Sequence, residues 1–178
     1  MRIIGGKMKG RRFDPPANKW PTRPTTDISK EGLFNILQFE LDYENLEALD
    51  LFGGTGNHSY ELISRGAKHV TYVDKYGPAI HFVNKQAEIF NIKEQIQITK
   101  MDVFRFIRLT KKKYDYIFAG PPYPLKNLAS IPDFIFNANL LAEDGLFVIE
   151  HNQDHNFSEH ERFVKVRNYG QTHFAFFR

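Results

Sequence analysis

The stretch YDYIFAGPPYPL, residues 114 to 125, runs an apolar strand straight into Gly120, Pro121, Pro122 and Tyr123. Two prolines withhold backbone donors and fix their own torsions, so such a corner presents carbonyl acceptors in a rigid frame. Tyr123 adds a face on which a flat base can stack. A planar amine donor suits a site of this kind.

A second candidate lies upstream in LDLFGGTGNHSYELISRG, which reads as a strand, a turn of Gly53, Gly54, Thr55 and Gly56, and a helix. Glycines let the backbone turn tightly and approach a ligand at a helix N-terminus. Ser59 stands where the dinucleotide fingerprint requires its last glycine, and the phosphate-loop spacing is missing as well, so phosphate cradling is disfavoured.

Three acids mark three successive strand ends. Asp50 precedes the glycine turn, Asp74 closes the next apolar run 24 positions later, and Asp102 closes a third. A carboxylate at the second end can accept both hydroxyls of a ribose, and one at the third can meet an adenine edge. Taken singly, each feature has a plain structural explanation, a helix cap, a loop closure or a buried tyrosine. The ordered set instead defines a crevice at the carboxyl edge of a parallel sheet that takes a nucleoside without a pyrophosphate.

The elements that must position these groups follow from periodicity. Apolar runs at 47 to 52, 69 to 74, 95 to 102, 114 to 120 and 145 to 152 alternate with helical patterns near 57 to 65, 78 to 90, 103 to 110 and 127 to 139. Five strands separated by helices predict a parallel sheet covered on both faces. RFVKVRNYG and THFAFFR have no room for a helix between them and read as a closing antiparallel hairpin. Ahead of the sheet, Asp27 is the expected N-cap of a helix over 27 to 40, with Phe34, Leu37 and Leu41 on one face. MRIIGG and KGRRFDPP read as two short strands around a turn, followed by a proline-rich stretch.

The chain has 178 residues, 42% of them hydrophobic, which suits one domain with an ordinary core. It has no cysteine, so disulfides, thiolate metal sites and cysteine nucleophiles are excluded. No apolar run reaches the roughly 20 residues of a membrane span, and no apolar leader opens the sequence, which predicts a cytoplasmic protein. The seven histidines show no metal-ligand spacing, and no metal is assigned; His58 is expected to face solvent at the start of its helix. Residues 1 to 30 carry eight basic side chains against two acidic ones, +6, leaving −3 for the rest of a chain whose net charge is +3. With Phe13 and Trp20, this arm reads as an electrostatic and stacking grip on nucleic acid. The run Lys111 to Lys113 is a weaker candidate of the same kind.

LDLFGGTG, the acid of YVDK, the acid of KMDVF and the corner AGPPY, in that order, resemble a class I S-adenosylmethionine-dependent methyltransferase. More narrowly, MRIIGGKMKGRRF, TRPTTDISKEGLFNIL and LDLFGGTGNHSYELISRGA are similar to the RsmD family, bacterial methyltransferases of small-subunit ribosomal RNA. The likeness covers nearly the whole chain. It implies a Rossmann-like α/β fold with a seven-stranded, mostly parallel sheet, a C-terminal antiparallel hairpin and a short N-terminal β-hairpin extension. Residues 1–26 would form the RNA-binding extension and 27–178 the methyltransferase domain.

The resemblance also implies roles. Asp50, Phe52, Gly53, Gly54, Thr55, Gly56 and Asn57 would hold the methionine part of S-adenosylmethionine. Asp74 and Lys75 would take the ribose, and Asp102 and Val103 the adenine. Gly120, Pro121, Pro122 and Tyr123 would form the catalytic corner, and Lys7, Lys9, Arg11, Arg12, Arg23 and Thr25 would meet RNA. The implied reaction methylates the exocyclic N2 of a guanine in 16S ribosomal RNA within the assembling small subunit, with S-adenosylhomocysteine as by-product. Apart from the resemblance, nothing in the sequence suggests an interface helix or a membrane contact, and a monomer is expected.

One position departs from the pattern. The family corner reads Asp-Pro-Pro-Tyr, with Asn first in related amine methyltransferases, whereas this chain has Gly120. A guanine amine has its lone pair delocalised into the ring, and an acceptor side chain at this place favours the nucleophilic form. Gly120 offers only backbone, so the sequence leaves open a weak enzyme or a non-catalytic RNA-binding assembly factor. A nucleotide-linked dehydrogenase is the remote third reading, since the glycine turn lacks the spacing a pyrophosphate needs.

Overall fold

The computed structural model describes residues 1–16, 20 and 25–178. A seven-stranded sheet organises the chain: β1 (Glu47–Leu51), β2 (His69–Asp74), β3 (Ile96–Lys100), β4 (Tyr114–Ala119), β5 (Leu141–His151), β6 (Phe163–Tyr169) and β7 (Thr172–Phe177). The strand order is β3-β2-β1-β4-β5-β7-β6, with β1 to β5 parallel and β7 antiparallel to both β5 and β6. The order reverses between β1 and β4, so the crevice of the switch point opens between Leu51 and Ala119.

Alternation along the central strands sends side chains to two cores. Ala48, Tyr72, Tyr116, Phe118, Leu146 and Val148 face one side, with α1 (Asp27–Glu40), α2 (Asn57–Ser64) and α3 (Gly77–Ile89). Leu49, Leu51, Val73, Ile117, Ala119 and Ile149 face the other, with α4 (Val103–Leu109) and α5 (Ile131–Asn137). β1, β2 and β4 are buried on both faces, as their unbroken apolar runs predict.

The helices begin where local chemistry permits. Pro78 occupies the first turn of α3, where its missing N–H costs nothing. Asp102 caps α4 by accepting from the Arg105 amide. The cap of α1 is Thr26 rather than Asp27: the Thr26 hydroxyl oxygen accepts from the Ser29 amide, and Asp27 instead pairs with Arg2. The stretch expected to be one helix over 127 to 139 divides into a 3-10 turn, Leu128–Ser130, and α5, because Pro132 sets a new first turn.

The N-terminal segment is hairpin-like: Arg2 and Arg12 form a bridge, and the Ile3, Gly10 and Phe13 amides donate to the Arg11, Ile3 and Met1 carbonyls across the arms. Other backbone groups tie it to α2: the amides of Ile4 and Gly5 donate to the Glu61 carboxylate, and that of Met8 donates to the Ser64 hydroxyl. Ile3, Met8 and Phe13 are buried in the first core, so the segment packs as part of the domain. Among the described residues no helix is long and apolar enough to cross a membrane.

Candidate active site

At the carboxyl edge of β1, β2 and β4 lies a cavity of about 850 Å3, reached by the strand-end acids, the glycine turn and the Pro-Pro-Tyr corner. Asp50, Asp74 and Asp102 line it, as do the turn residues Phe52 to Thr55 and the corner from Gly120 to Tyr123. Lys75 and Val103 are also on its wall. Residues of four separate loops thus share one concave wall, from which Gly56, grouped with them in the sequence, is absent.

In the glycine turn, contacts leave no room for a side chain at Gly53 or Gly56. A Cβ on Gly53 would stand 2.2 Å from the Tyr72 ring, while Tyr72 donates its hydroxyl to the Gly54 carbonyl at 2.7 Å. Phe52, Gly54 and Gly56 all have left-handed backbone, at φ 58°, 49° and 79°. Phe52 is the costly member, since a side chain there opposes that conformation. The Gly54 amide donates to Asp74 at 2.9 Å, and the Tyr76 amide donates to the other oxygen at 2.8 Å. Asp74 thus ties the turn to β2 and still presents its carboxylate to the cavity.

Asp50 is buried behind the turn and accepts from the Ser59 hydroxyl at 2.5 Å. Burial disfavours its charge and pushes its pKa up to about 7, against the lowering effect of the Ser59 hydrogen bonds. Asn57, at the start of α2, is fixed by the Lys30 ammonium, which donates to its Oδ1 at 2.8 Å. Its Nδ2 is buried on the cavity wall with no partner among the described residues. A buried donor without an acceptor is costly unless a ligand supplies one. This orphan, the glycine cradle and the cavity volume fit an adenosyl amino acid such as S-adenosylmethionine, whose methionine carboxylate could meet Asn57 and whose ribose could meet Asp74.

His58 departs from its expected exposure. It is 8% exposed, stacks on Phe118 with centroids 3.8 Å apart and pairs through Nε2 with the Tyr116 hydroxyl at 3.1 Å. Burial, aided by the nearby Lys30 charge, pulls its pKa well below the usual value, so the ring is neutral. A helix start usually lies at the surface; here α1 covers it, with Phe34 centred 5.0 Å from the imidazole.

The basic residues distribute differently. The turn of the N-terminal hairpin carries Lys7 and Lys9 to the far end of α2, where Lys7 donates to Gln95 ahead of β3, at the opposite edge of the sheet from the cavity. Arg11 lies 5.5 Å from the Phe90 ring centre, just past the end of α3, and Arg12 is exposed beside its bridge to Arg2. Lys30, counted with the basic arm, is buried and paired with Glu61. Phe13 is buried edge-on against Tyr60 and Phe90, which withdraws it from any stacking on RNA. Trp20 does reach the cavity wall, packed on Tyr76 and Phe82. Of the lysine run, Lys112 pairs with Glu47 and Lys113 donates to Asn139. Arg23 lies outside the described residues.

One site residue escaped the sequence reading. Glu150, near the end of β5, is 6% exposed on the cavity wall. Its Oε2 accepts from the Thr25 hydroxyl at 2.5 Å and its Oε1 from the Tyr123 hydroxyl at 2.9 Å. The available signal was its place: it ends the apolar run GLFVIE as the other acids end theirs, one strand further along.

Comparison with known proteins agrees with this architecture. The family described as conserved hypothetical protein 95 matches residues 1–178. A provisionally named rRNA methyltransferase of Bacillus subtilis (strain 168), YlbH, is 34% identical over 157 residues, covering 86% of this chain and 84% of its own. Ribosomal RNA small subunit methyltransferase D of Buchnera aphidicola is 30% identical, covering 84% and 75%. Among solved structures, a hypothetical protein of Thermus thermophilus superimposes with a TM-score of 0.86 at 23% identity, covering 100% of this chain and 99% of its own. With a family match along its whole length and such relatives, the chain belongs to the RsmD family of methyltransferases.

Proposed function

We propose that this protein methylates the exocyclic N2 of a guanine in 16S ribosomal RNA, using S-adenosylmethionine. The observation that carries the reading is the single cavity joining the strand-end acids to the Pro121-Pro122-Tyr123 corner. Relatives named as small-subunit rRNA methyltransferases support the substrate class. A structure of the same fold, the T. thermophilus 16S rRNA N2 G1207 methyltransferase in complex with AdoMet and guanosine, supports the guanine (TM-score 0.68, 22% identity).

When bound, S-adenosylmethionine supplies an electrophilic methyl group. The protein's own part is orientation. Asp74 would hold the ribose, Asp102 the adenine edge, and Asn57 with the glycine turn the amino-acid end. Tyr123 would stack on the target base while the Pro121 carbonyl accepts one hydrogen of its amine. Most of the acceleration expected of such a site comes from holding the amine in line with the methyl carbon and from acceptors aimed at the charge that develops on nitrogen. Thr25, tied to Glu150 on the cavity wall, would meet RNA at the site; Lys7, Lys9, Arg11 and the exposed Arg12 would serve only an RNA that follows the flank.

The test is transfer of radiolabelled methyl to small subunits lacking the modification, with digestion to identify N2-methylguanosine. Label above background in that nucleoside supports the reading; none, with calorimetric binding of the cofactor intact, sinks it. The bare Gly120 favours one rival, a methyltransferase-fold assembly factor that binds subunits without turnover. That rival predicts subunit binding that ignores S-adenosylhomocysteine.

A further inference from the structure

Gly120 gives the corner no side chain, and the register of the sheet points a carboxylate to the place beside it. β4 and β5 pair in parallel, with Phe118 opposite Val148 and Ala119 opposite Ile149. One step further along the same register sets Gly120 beside Glu150, on strands that lie about 4.8 Å apart. Side chains alternate, so residue 120 shares a face with Phe118, and Glu150 shares a face with Val148; both belong to the side covered by α1, α2 and α3. Any side chain at 120 and the side chain of Glu150 therefore enter the cavity from the same side.

Resting on the function proposed above, we propose that the Glu150 carboxylate does the work of the side chain missing at Gly120, accepting the second hydrogen of the target amine. The group is braced for this. Thr25 holds one oxygen and Tyr123 the other, so the carboxylate is fixed relative to the same tyrosine that would stack on the base. Glutamate is longer than aspartate by one methylene, which suits an acceptor that must reach across from the neighbouring strand.

In the reaction the N2 lone pair forms a bond to the methyl carbon as the carbon–sulfur bond breaks, and that electron pair passes to sulfur, leaving S-adenosylhomocysteine. The amine sheds one proton, which passes to the Glu150 carboxylate and on to solvent. The Pro121 carbonyl keeps the other hydrogen. Nothing further is consumed.

Gly120 itself can be refilled, which makes the idea testable. Its φ is outside the left-handed range, and a Cβ there would meet only the Phe118 ring, at 3.2 Å, a contact that a small tilt of the ring relieves. Asn is the better probe than Asp because it adds an acceptor without a second negative charge beside Glu150. The experiment measures methyl transfer for the unmodified chain, Glu150→Leu, Glu150→Gln, Gly120→Asn and the Gly120→Asn/Glu150→Leu double variant, with cofactor affinity by calorimetry for each.

The expected result is a fall in kcat of about 100-fold or more in Glu150→Leu, the usual size for losing one preorganised group. Glu150→Gln should fall less, since its amide oxygen still accepts, and the double variant should recover to within about tenfold of Gly120→Asn alone, with cofactor binding unchanged throughout. If Glu150 merely ties Thr25 to Tyr123, Gly120→Asn cannot restore what Leu removes; equal losses in both backgrounds overturn the proposal. An active chain indifferent to Glu150→Leu overturns it and leaves the proposed function standing. An inactive chain made active by Gly120→Asn shows that no compensation exists, and inactivity of every variant removes the proposed function and this inference together.

Discussion

Lys30 Nζ lies 3.0 Å from Glu61 Oε2, with both side chains buried. The pair is the hub between the N-terminal segment and the site. Glu61 also accepts the Ile4 and Gly5 amides and the Arg65 side chain, while Lys30 also donates to the Arg2 carbonyl and to Asn57. Burial lowers the pKa of Lys30, and the Glu61 charge opposes that shift.

Removing one partner should therefore cost far more than a surface ion pair. Lys30→Met is expected to destabilise the protein by about 3 kcal/mol, because it leaves a buried carboxylate with one cation fewer. It should also weaken cofactor affinity, since Asn57 loses the contact that aims its amide. Urea melts beside calorimetry check both, and a change under about 1 kcal/mol contradicts the hub role.

Asp50 and His58 should give stability opposite dependences on pH. Asp50 has a folded pKa of about 7, raised from 3.8, so its contribution is fully present at low pH and is lost as pH rises across that interval. His58 has a folded pKa depressed from 6.5, so its contribution is full above that value and is lost as pH falls below it. Each slope is at most about 1.4 kcal/mol per pH unit, and between roughly pH 4 and 6.5 they oppose each other. Denaturant melts at pH 5 and 7 should show Asp50→Asn losing stability toward pH 5 relative to the unmodified chain, and His58→Phe, which keeps the stack on Phe118, gaining it. Parallel slopes in both variants contradict the assignment.

Gly53→Ala should damage the site although it adds only a methyl group. Its Cβ would collide with the Tyr72 ring, which is fully buried and held by the Gly54 carbonyl, so neither can yield freely. Overpacking of this kind costs about 2 kcal/mol and should lower cofactor affinity at least about tenfold. Gly10→Ala, in open space at φ +86°, is the control: about 1 kcal/mol from backbone strain alone and no change in affinity. Thermal melts and calorimetry on the two variants decide this.

Asp74→Ala removes the acceptor shared by the turn and, in the proposed complex, by the ribose. Losing two charge-assisted hydrogen bonds of about 1.5 to 3 kcal/mol each predicts a fall in S-adenosylhomocysteine affinity of about 100-fold or more. Calorimetry reads it directly; an affinity within about threefold of the unmodified chain places the ribose elsewhere.

Strand and helix periods, the glycine turn and the order Asp50, Asp74, Asp102, then Pro121-Pro122-Tyr123 were legible in the sequence because each is a local property: alternation, a backbone needing left-handed angles, an acid at the end of an apolar run. Those local properties were enough to predict a mostly parallel sheet and a crevice at its carboxyl edge lined by the strand-end acids, the turn and the corner. Packing decided the rest. His58 is buried because α1 lies across it, Phe13 because it wedges between Tyr60 and Phe90, and Lys30 because Glu61 awaits it inside. Glu150 ends an apolar run as the other acids do, but its place beside the Gly120 corner comes from the register that sets β5 beside β4, a pairing of positions 30 residues apart.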